Sequence, residues 1–417
     1  MIRIVHRGPL LSKLSFKGRR SYSVGKLADR RGAVEELTSA PKASGRRRRM
    51  RQSDVQASVA QASEAAKTHL TTAAGAFQQH WLPLTAAATG IYCLWRFIKF
   101  LRADADLKLL SSKHLPKDAF KHKVVWITGA SQGLGEQLAL SFAKRGARLI
   151  LSARNEARLQ QVGAACKEAY GTEVEVLPLD ICAPFADLQS AAVRADDVFD
   201  GAGVDYLIHN AGASQHAAVE DTTTEVAEKM FQLNVLGPIA LTRAALPFLL
   251  SREHCRIVVV SSMAAVVPAP GQAMYSATKL ALHGYFATLQ SELNDRGITV
   301  TIACPGPIAT GSEGTPRNVF SAQALTAKHE ERGGAKKRLS PPRVAELIAR
   351  AAYNRADVAW IARHPVLLLG YLCQYWPTLG IWIMKKIGPM RAAQLKSGGS
   401  GYDLKSMLFG TGRVKAD

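Results

Sequence analysis

Residues 124–135 read VVWITGASQGLG, an apolar run followed by a glycine-rich turn, and this stretch decides the fold. An apolar run without alternating polar residues predicts a strand that is buried on both faces, as in a parallel sheet. The glycines allow a tight turn and let the backbone approach a pyrophosphate at the N-terminus of the next helix. Because any turn from strand to helix favours glycine, this loop alone is weak evidence for nucleotide binding.

Further short β-rich apolar runs follow, and segments of helical length separate them. They occupy residues 148–153, 173–180, 204–210, 256–262 and 299–306. Alternation of strands and helices predicts an α/β fold with a doubly wound parallel sheet of the Rossmann type. We place this domain at residues 115–345.

The charge of the chain is concentrated at its N-terminal end. The 417 residues carry a net charge of +21, and residues 1–51 alone contain 15 basic and three acidic residues. This composition is typical of a basic disordered tail or a targeting segment. No zinc spacing, basic-zipper pattern or RNA-binding signature accompanies the basic run, so we expect no nucleic-acid partner. The six cysteines contain no C-x-x-C pair, so we expect neither a metal site nor a disulfide framework.

Two uncharged apolar stretches flank the predicted domain. Residues 52–114 are predicted to be helical, with a membrane anchor at about 81–101, although the uncharged run 81–95 is shorter than the roughly 20 residues that span a bilayer. Snorkelling of Arg96 and Lys99 would extend its reach, and a soluble amphipathic helix is the alternative. The second run, 365–384, belongs to a hydrophobic extension at 346–417 that is membrane-associated or lines the substrate site. Gln374 and Pro377 interrupt this run, which favours a helix in the membrane interface over a true span.

The end of the second predicted strand bears on cofactor choice. An acidic residue there would bind a ribose 2′-hydroxyl, but Ala153 and Arg154 stand near that position. An arginine suits a 2′-phosphate, so the sequence favours NADP(H) over NAD(H). The alternative is an ordinary surface arginine at the end of a strand.

A tyrosine and a lysine follow the fifth predicted strand at helical spacing. Tyr275 and Lys279 share one helix face, so the ammonium can lower the pKa of the phenol from about 10. A phenol tuned in this way can exchange a proton with a carbonyl or an alcohol. A tyrosine and a lysine four residues apart are weak evidence by themselves, because Tyr22 and Lys26 have the same spacing in the basic tail. What distinguishes Tyr275 is the set of motifs around it.

Taken together, the motifs resemble those of the short-chain dehydrogenase/reductase family. They stand in family order: TGASQGLG at 128–135, LDI around Asp180, HNAG at 209–212, LNVLG around Asn234, VSS at 260–262, YSATK at 275–279 and CPGPIAT at 304–310. Two departures stand out: His209 replaces the asparagine that is frequent in the family, and residues 311–340, which cover the substrate in the family, are polar and charged here.

The resemblance implies a role for each motif residue. Ser262 would polarise the substrate carbonyl, Tyr275 would transfer the proton, Lys279 would hold the nicotinamide ribose and tune Tyr275, and Asn234 would order a water in the proton relay. Apart from Tyr275 and Lys279, the implied cofactor-binding residues are Gly129, Ser131, Gln132, Gly133, Leu134, Gly135, Arg154, Asp180, Asn210, Ala211, Gly212, Pro305, Gly306, Ile308 and Thr310.

These features predict an NADP(H)-dependent oxidoreductase that transfers a hydride between nicotinamide and a lipophilic steroid-, retinoid- or lipid-like carbonyl or alcohol. The alternatives are a reductase of 3-ketosphinganine-type or acyl-lipid ketones, and a catalytically silent NADP-binding membrane scaffold. The resemblance also implies a homodimer on an intracellular membrane, with the endoplasmic reticulum favoured. The basic tail leaves a mitochondrion or plastid open.

Overall fold

The computed structural model describes residues 52–252, 254–309, 317–323, 327–329 and 338–396. The predicted tail at 1–51 and the last part of the C-terminal extension therefore lie outside the described residues. Contacts divide the chain into residues 1–87 and residues 88–417. The helix α1, Gln52–Leu101, is rich in alanine and glutamine and begins in the first unit. The predicted anchor at about 81–101 is the last part of this helix.

A seven-stranded sheet forms the centre of the second unit, and all of its strand pairs are parallel. Its strand order is β3-β2-β1-β4-β5-β6-β9. The strands are β1 Val124–Thr128, β2 Arg148–Ser152, β3 Val174–Val176, β4 Tyr206–His209, β5 Cys255–Val260, β6 Ile298–Pro305 and β9 Val358–Ile361. The short strands β7, Arg317–Val319, and β8, Ala327–His329, pair antiparallel outside this sheet.

Helices cover both faces of the sheet. They are α2 Leu107–Ser111, α3 Gly133–Ala143, α4 Glu156–Tyr170, α5 Phe185–Gly201, α6 Thr224–Phe231, α7 Gly237–Leu250, α8 Ala273–Leu293, α9 Pro341–Tyr353, α10 Val366–Tyr375 and α11 Pro377–Lys396. Along β1, Val124 and Trp126 belong to one buried apolar cluster, whereas Val125 and Ile127 belong to another. Alternate residues of a strand point to opposite faces, so each face has its own core. The predicted doubly wound α/β fold is confirmed.

Contacts with the sheet continue on both sides of residues 115–345, where the sequence predicts the α/β domain. The boundary placed after residue 345 falls inside α9, whose buried residues join the core, and β9 beyond it completes the sheet. Upstream of residue 115, the backbone N–H of Trp360 in β9 donates to the Asp106 carboxylate at 2.7 Å, and the Asp106 N–H donates to the Trp360 carbonyl at 2.8 Å. Edge strand β9 thus pairs with β6 on one side and is bonded to Asp106 on the other, and we propose that the folded unit includes residues on both sides of 115–345.

The membrane predictions remain predictions. Among the described residues, the one helical stretch that is long and apolar enough to cross a bilayer is Thr224–Leu250, half of which is buried in the core. It runs through α6 and α7, so it is a core helix of the α/β unit. The predicted run at 365–384 is divided between α10 and α11. Pro377 stands at this break: proline disfavours the helical conformation for the residue before it, and Trp376 has φ −131° and ψ 65°.

Candidate active site

The candidate site lies at the carboxyl ends of β1 and β4. The strand order runs outward from this pair in opposite directions, and such a reversal opens a crevice where ligands bind in open α/β sheets. The glycine-rich turn joins β1 to α3 at this point. The N–H groups in the first turn of a helix have no partner within the helix, and among the described contacts the side chain of Gln132 does not cap them. This end of α3 can therefore accept an anionic group.

Glycines are needed in this turn for close packing. A side chain at Gly129, which has φ +64°, would place its Cβ 2.8 Å from the Cα of Ala211. A side chain at Gly135 would place its Cβ 2.1 Å from the Gly129 carbonyl oxygen. Both glycines thus let the turn lie directly against the segment that follows β4. Ser131, Gly133 and Leu134 lie in the same turn, with Gly133 at φ +60°.

The segment after β4 is attached to the glycine-rich turn by hydrogen bonds. The amide of Asn210 donates to the carbonyls of Thr128 and Gly129, both at 3.1 Å. The hydroxyl of Thr128 accepts from the N–H groups of Asn210 and Ala211 at 3.1 and 3.2 Å. Sequence reasoning gave Thr128 no role, although its place in the motif was the available signal. These bonds hold residues 210–212 beside the predicted pyrophosphate loop.

Arg154 and Asp180 lie at the outer end of the crevice, and both are exposed. Their charges act in opposite directions on the pKa of the Cys182 thiol, which Asp180 raises and Arg154 lowers, after the larger raising effect of burial. Both charged groups therefore lie within electrostatic range of the Cys182 sulfur. Asp180 Oδ1 also accepts from the Cys182 N–H at 3.0 Å, so this carboxylate stabilises the turn that follows it.

Lys279 is a buried cation beside Tyr275. Its Nζ donates to the Val260 carbonyl at 2.9 Å and lies 5.7 Å from the centroid of the Tyr275 ring. Burial lowers the pKa of Lys279 to about 8. The hydroxyl of Ser262, at the end of β5, accepts from the Ala264 N–H at 3.1 Å and donates to the Pro305 carbonyl at 3.4 Å. The structure thus brings Ser262, Tyr275 and Lys279 to the carboxyl ends of the central strands.

Asn234 reaches the same place from a π-helical turn, Gln232–Leu236, between α6 and α7. The side chain is fully buried: its Oδ1 accepts from the Ala213 N–H at 2.9 Å, and its Nδ2 donates to the Ala213 carbonyl at 3.0 Å and to the Thr278 hydroxyl at 3.1 Å. A Cβ on Gly212 would stand 2.9 Å from Asn234 Oδ1 and 3.4 Å from Lys279 Nζ. Gly212, Asn234 and Lys279 are therefore immediate neighbours.

A second layer of polar side chains, which sequence reasoning missed, supports the lysine. The Ser261 hydroxyl donates to the backbone carbonyl of Lys279 at 3.1 Å and lies 2.9 Å from His283 Nε2. The sulfur of Cys304 lies 3.6 Å from the same nitrogen. Burial, and then the charge of Lys279, lower the pKa of His283. The available signal was helical spacing, since His283 follows Lys279 by four residues on α8.

The segment after β6 carries the last predicted cofactor residues. Pro305 ends the strand, and the N–H of Gly306 donates to the Ile361 carbonyl of β9 at 2.8 Å. Ile308 forms an isolated parallel bridge with Leu339. Thr310 lies outside the described residues, as do most of residues 311–340, the region that covers the substrate in the family.

The Tyr275 side of the site is apolar. Phe320 packs in a buried cluster with Val226 and Met230, and Met274 and Tyr275 pack against this cluster. The Phe320 N–H donates to the Ser214 carbonyl at 3.0 Å, so the segment 317–323 is attached beside the site. Within the described part of the chain, no three His, Cys, Asp or Glu side chains are grouped as a metal would require.

Fold and site together define an oxidoreductase: the chain belongs to the short-chain dehydrogenase/reductase family, whose members act on alcohol and carbonyl groups. The family model described as short chain dehydrogenase matches residues 123–318. Dehydrogenase/reductase SDR family member 7 of Homo sapiens is 34% identical over 345 residues, which cover 81% of this chain and 98% of the relative. Dehydrogenase/reductase SDR family member 7B of Rattus norvegicus is 30% identical over 304 residues, covering 72% of this chain and 85% of the relative.

A solved structure shares the fold. L-Sorbose reductase from Gluconobacter frateurii, complexed with NADPH and L-sorbose, aligns with a TM-score of 0.51 at 24% identity, covering 60% of this chain and 98% of that chain.

Proposed function

We propose that this chain is an NADP(H)-dependent oxidoreductase that interconverts a lipophilic carbonyl compound and its alcohol at an intracellular membrane. The observation that carries the proposal is the position of Lys279 Nζ, buried and 5.7 Å from the centroid of the Tyr275 ring. A cation beside the ring favours the ionised phenol, so we propose that Lys279 brings the proton affinity of Tyr275 toward that of a working acid or base. An ordinary core tyrosine would not need a buried ammonium beside it.

The glycine-rich turn and its neighbours fit a dinucleotide. The open N-terminus of α3 would take the pyrophosphate, residues 210–212 would take the adenosine ribose, and Lys279 would bond to the nicotinamide ribose. Arg154 is the exposed cation at the end of β2 that would meet a 2′-phosphate, with Asp180 near the adenine. Pro305, Gly306, Ile308 and Thr310 would face the nicotinamide carboxamide. The bound cofactor supplies or accepts the hydride.

The chain's own residues handle the proton and the developing charge. In the reductive direction, Ser262 Oγ would turn its hydrogen from the Pro305 carbonyl toward the substrate oxygen, where it stabilises negative charge. Tyr275 would donate its phenolic proton to that oxygen, and Lys279 would stabilise the resulting phenolate. In the oxidative direction the same groups act in reverse. Asn234 holds the Ala213 backbone with both ends of its amide, so we assign it a positioning role besides the predicted water contact.

The apolar surroundings of Tyr275 support a lipophilic substrate. Met274 and Tyr275 pack against the buried cluster that contains Phe320, and apolar surroundings of this kind favour steroid-, retinoid- or lipid-like groups over sugars. The α1 helix supports membrane attachment, because Ile91, Leu94 and Phe97 are exposed along it. Arg96 lies over the Tyr92 ring at 5.9 Å, in an arrangement that lets its head snorkel to the interface. Resemblance favours the endoplasmic reticulum and a homodimer.

The test is cofactor oxidation by the full chain in detergent, with retinal, a steroid ketone and 3-ketosphinganine as substrates. We expect turnover with NADPH. The substrate that is turned over distinguishes a reductase of retinoid or steroid carbonyls from a reductase of sphingoid ketones. Tyr275→Phe should lower kcat at least about 100-fold, because the variant has no phenolic proton, while NADPH binding stays unchanged.

The matched control is Tyr285→Phe, which removes a hydroxyl from the same helix outside the site and should keep full activity. Equal kcat for Tyr275→Phe and the parent would contradict the assigned mechanism. Tight NADPH binding by the parent without turnover on any carbonyl would favour the scaffold alternative.

A further inference from the structure

The α10–α11 surface consists of Tyr375, Trp376, Leu379, Ile381 and Trp382, where the two C-terminal helices meet. The exposed fractions of Trp376 and Trp382 are 67% and 58%, and the other three side chains are exposed as well. Five large apolar side chains are thus exposed within eight consecutive positions, a density that is unusual on a water-facing surface. Tryptophan and tyrosine are the residues that favour the boundary between water and lipid.

The helices that carry this surface, α10 and α11, pack on the loop between Ser262 and the helix of Tyr275. A Cβ on Gly370 of α10 would stand 2.6 Å from Met263 Cε, so the helix backbone lies directly against that side chain. A Cβ on Gly388 of α11 would stand 3.6 Å from Pro270 Cγ. Met263 and Pro270 lie in the loop that joins Ser262 to the helix of Tyr275. The α10–α11 pair therefore lies on one side of the loop that leads to Tyr275, the proposed proton donor.

The same helices are attached to the end of α1. The Phe100 ring contacts the rings of His364 and Tyr371 with centroid distances of 4.6 and 5.8 Å. His364 Nε2 lies 2.8 Å from the Phe100 carbonyl oxygen, and the Leu107 N–H donates to the Tyr371 hydroxyl at 3.2 Å. The C-terminal end of the proposed anchor thus adjoins α10, which is continuous with the exposed aromatic surface.

Positive charge completes the pattern. Lys385 and Lys386 are exposed one turn beyond Trp382, and Arg102 is exposed at the end of α1. Basic side chains next to exposed aromatic and aliphatic side chains match an anionic lipid surface, in which phosphates meet the charges and acyl chains meet the rings.

We propose that the α10–α11 surface lies in the membrane interface and holds the Ser262–Tyr275 loop against lipid, so that a lipophilic substrate enters from the bilayer. The lipid contact stands independently of catalysis, whereas substrate entry rests on the proposed function. The occupant is an anionic lipid surface, because the patch adjoins the proposed anchor and carries the basic pair Lys385 and Lys386.

Tryptophan quenching tests the contact without any turnover. The full chain is reconstituted in phosphatidylcholine–phosphatidylserine vesicles with and without brominated acyl chains, and the double variant W376F/W382F is treated in parallel. The fluorescence difference between parent and variant isolates these two rings from the tryptophans of α1. We expect bromination to reduce this difference at least about twofold. The difference obtained with Trp126→Phe, which changes a ring that is 1% exposed and lies in the core of the sheet, is the control and should not respond to bromination.

Two results would overturn the lipid contact. One is a difference signal that bromination leaves unchanged, as when a second copy of the chain covers the rings. The other is undiminished quenching in the double variant K385E/K386E, which would show that the basic pair does not hold the surface on anionic lipid.

Substrate entry has its own measurement in the same vesicles. Replacing Ile381 and Trp382 by glutamate should raise KM for the lipophilic substrate about tenfold or more and leave KM for a small water-soluble carbonyl unchanged. Val193→Glu, an equally exposed change on α5, should alter neither value. If the parent and the variant with glutamate at positions 381 and 382 have equal KM values for the lipophilic substrate, entry from the bilayer is overturned. Absence of turnover in the parent would count against the proposed function and leave the quenching result intact.

Discussion

Single side chains set the cofactor preference and the pH response that we expect of this enzyme. Arg154 is exposed at the end of β2, and a charge-assisted bond from arginine to phosphate contributes about 1.5–3 kcal/mol. Arg154→Asp should therefore lower kcat/KM for NADPH roughly 10- to 100-fold and raise it for NADH, whose free 2′-hydroxyl can bond to the new carboxylate.

Steady-state kinetics with both cofactors measure this change. Arg158→Asp, on the exposed face of α4, makes the same charge change without reaching the ribose, and it should leave the NADPH-to-NADH ratio unaltered. If both variants shift the NADPH-to-NADH ratio equally, Arg154 acts only through long-range electrostatic attraction and not through a bond to the 2′-phosphate.

His209 makes the fold sensitive to acid. Its Nε2 lies 2.7 Å from the Thr242 hydroxyl, and burial lowers the pKa of His209 to about 3, against about 6.5 in an unfolded chain. Between these values the unfolded chain binds the proton and the folded chain does not. The stability contributed by neutral His209 is thus fully present above about pH 6.5 and falls as the pH drops, by up to roughly 1.4 kcal/mol per unit.

Thermal unfolding of the detergent-solubilised chain at pH 7.5 and pH 5 tests this expectation. His209→Asn removes the titrating ring and should narrow the difference in Tm between the two pH values. His254→Asn changes an exposed histidine and should keep the full difference. If His209→Asn shows the same difference in Tm between pH 7.5 and pH 5 as the parent, other groups cause the loss of stability in acid.

The motif residues, Asn234 among them, could be named from the sequence because their motifs resemble those of the family and stand in the same order. The π-helical turn at 232–236 that positions Asn234 could not be predicted, because no periodicity distinguishes it from the α-helices on both sides. His283 and Cys304 meet through the packing of α8 on β6, which sequence spacing does not reveal.

At the scale of elements, the sequence predicted the first six strands of the sheet and missed β7, β8 and β9. The four residues of β9 are identifiable as a strand only through their pairing with β6 and with Asp106. Strands β7 and β8 contain polar residues, so the sequence has no apolar run there that would predict a strand. In contrast, the division at Pro377 follows from proline chemistry, and the sequence had already placed an interruption there.

Helix α9 should depend on Arg350 for its attachment to the segment after α1. The buried guanidinium donates to the carbonyls of Leu110 at 3.2 Å and Lys113 at 3.1 Å, and to that of Ser112. Arg350→Met would leave these acceptors without a donor, at a cost of at least about 2 kcal/mol. We expect thermal unfolding to occur at a midpoint at least about 4 °C lower.

Arg350→Lys is the informative comparison. It keeps the charge and loses the planar fork that reaches three carbonyls, so most of the destabilisation should remain. Full rescue by lysine would mean that charge, and not the geometry of the donors, connects α9 to residues 110–113.

For the whole molecule, the same contacts define which part of the chain can fold as a catalytic unit. The contact division falls between Ala87 and Ala88, whereas Asp104 and Asp106 bind residues of α9 and β9. A chain that begins at Ala88 should therefore unfold at the Tm of the full chain and bind NADPH equally well. A chain that begins at His114 should unfold several degrees lower, because it lacks both carboxylates and the carbonyls that Arg350 binds.

Both truncated chains can be compared with the full chain in one detergent by thermal unfolding with and without NADPH. Since a ligand that binds only the folded state raises Tm, the cofactor-induced shift reports whether the site survives each truncation. Equal Tm values for the two truncated chains would show that residues 103–113 add nothing to the catalytic unit, in agreement with the boundary at residue 115 that the sequence predicts. A lower Tm for only the shorter chain would place the start of the catalytic unit between residues 88 and 114, where the end of α1 joins the α/β fold.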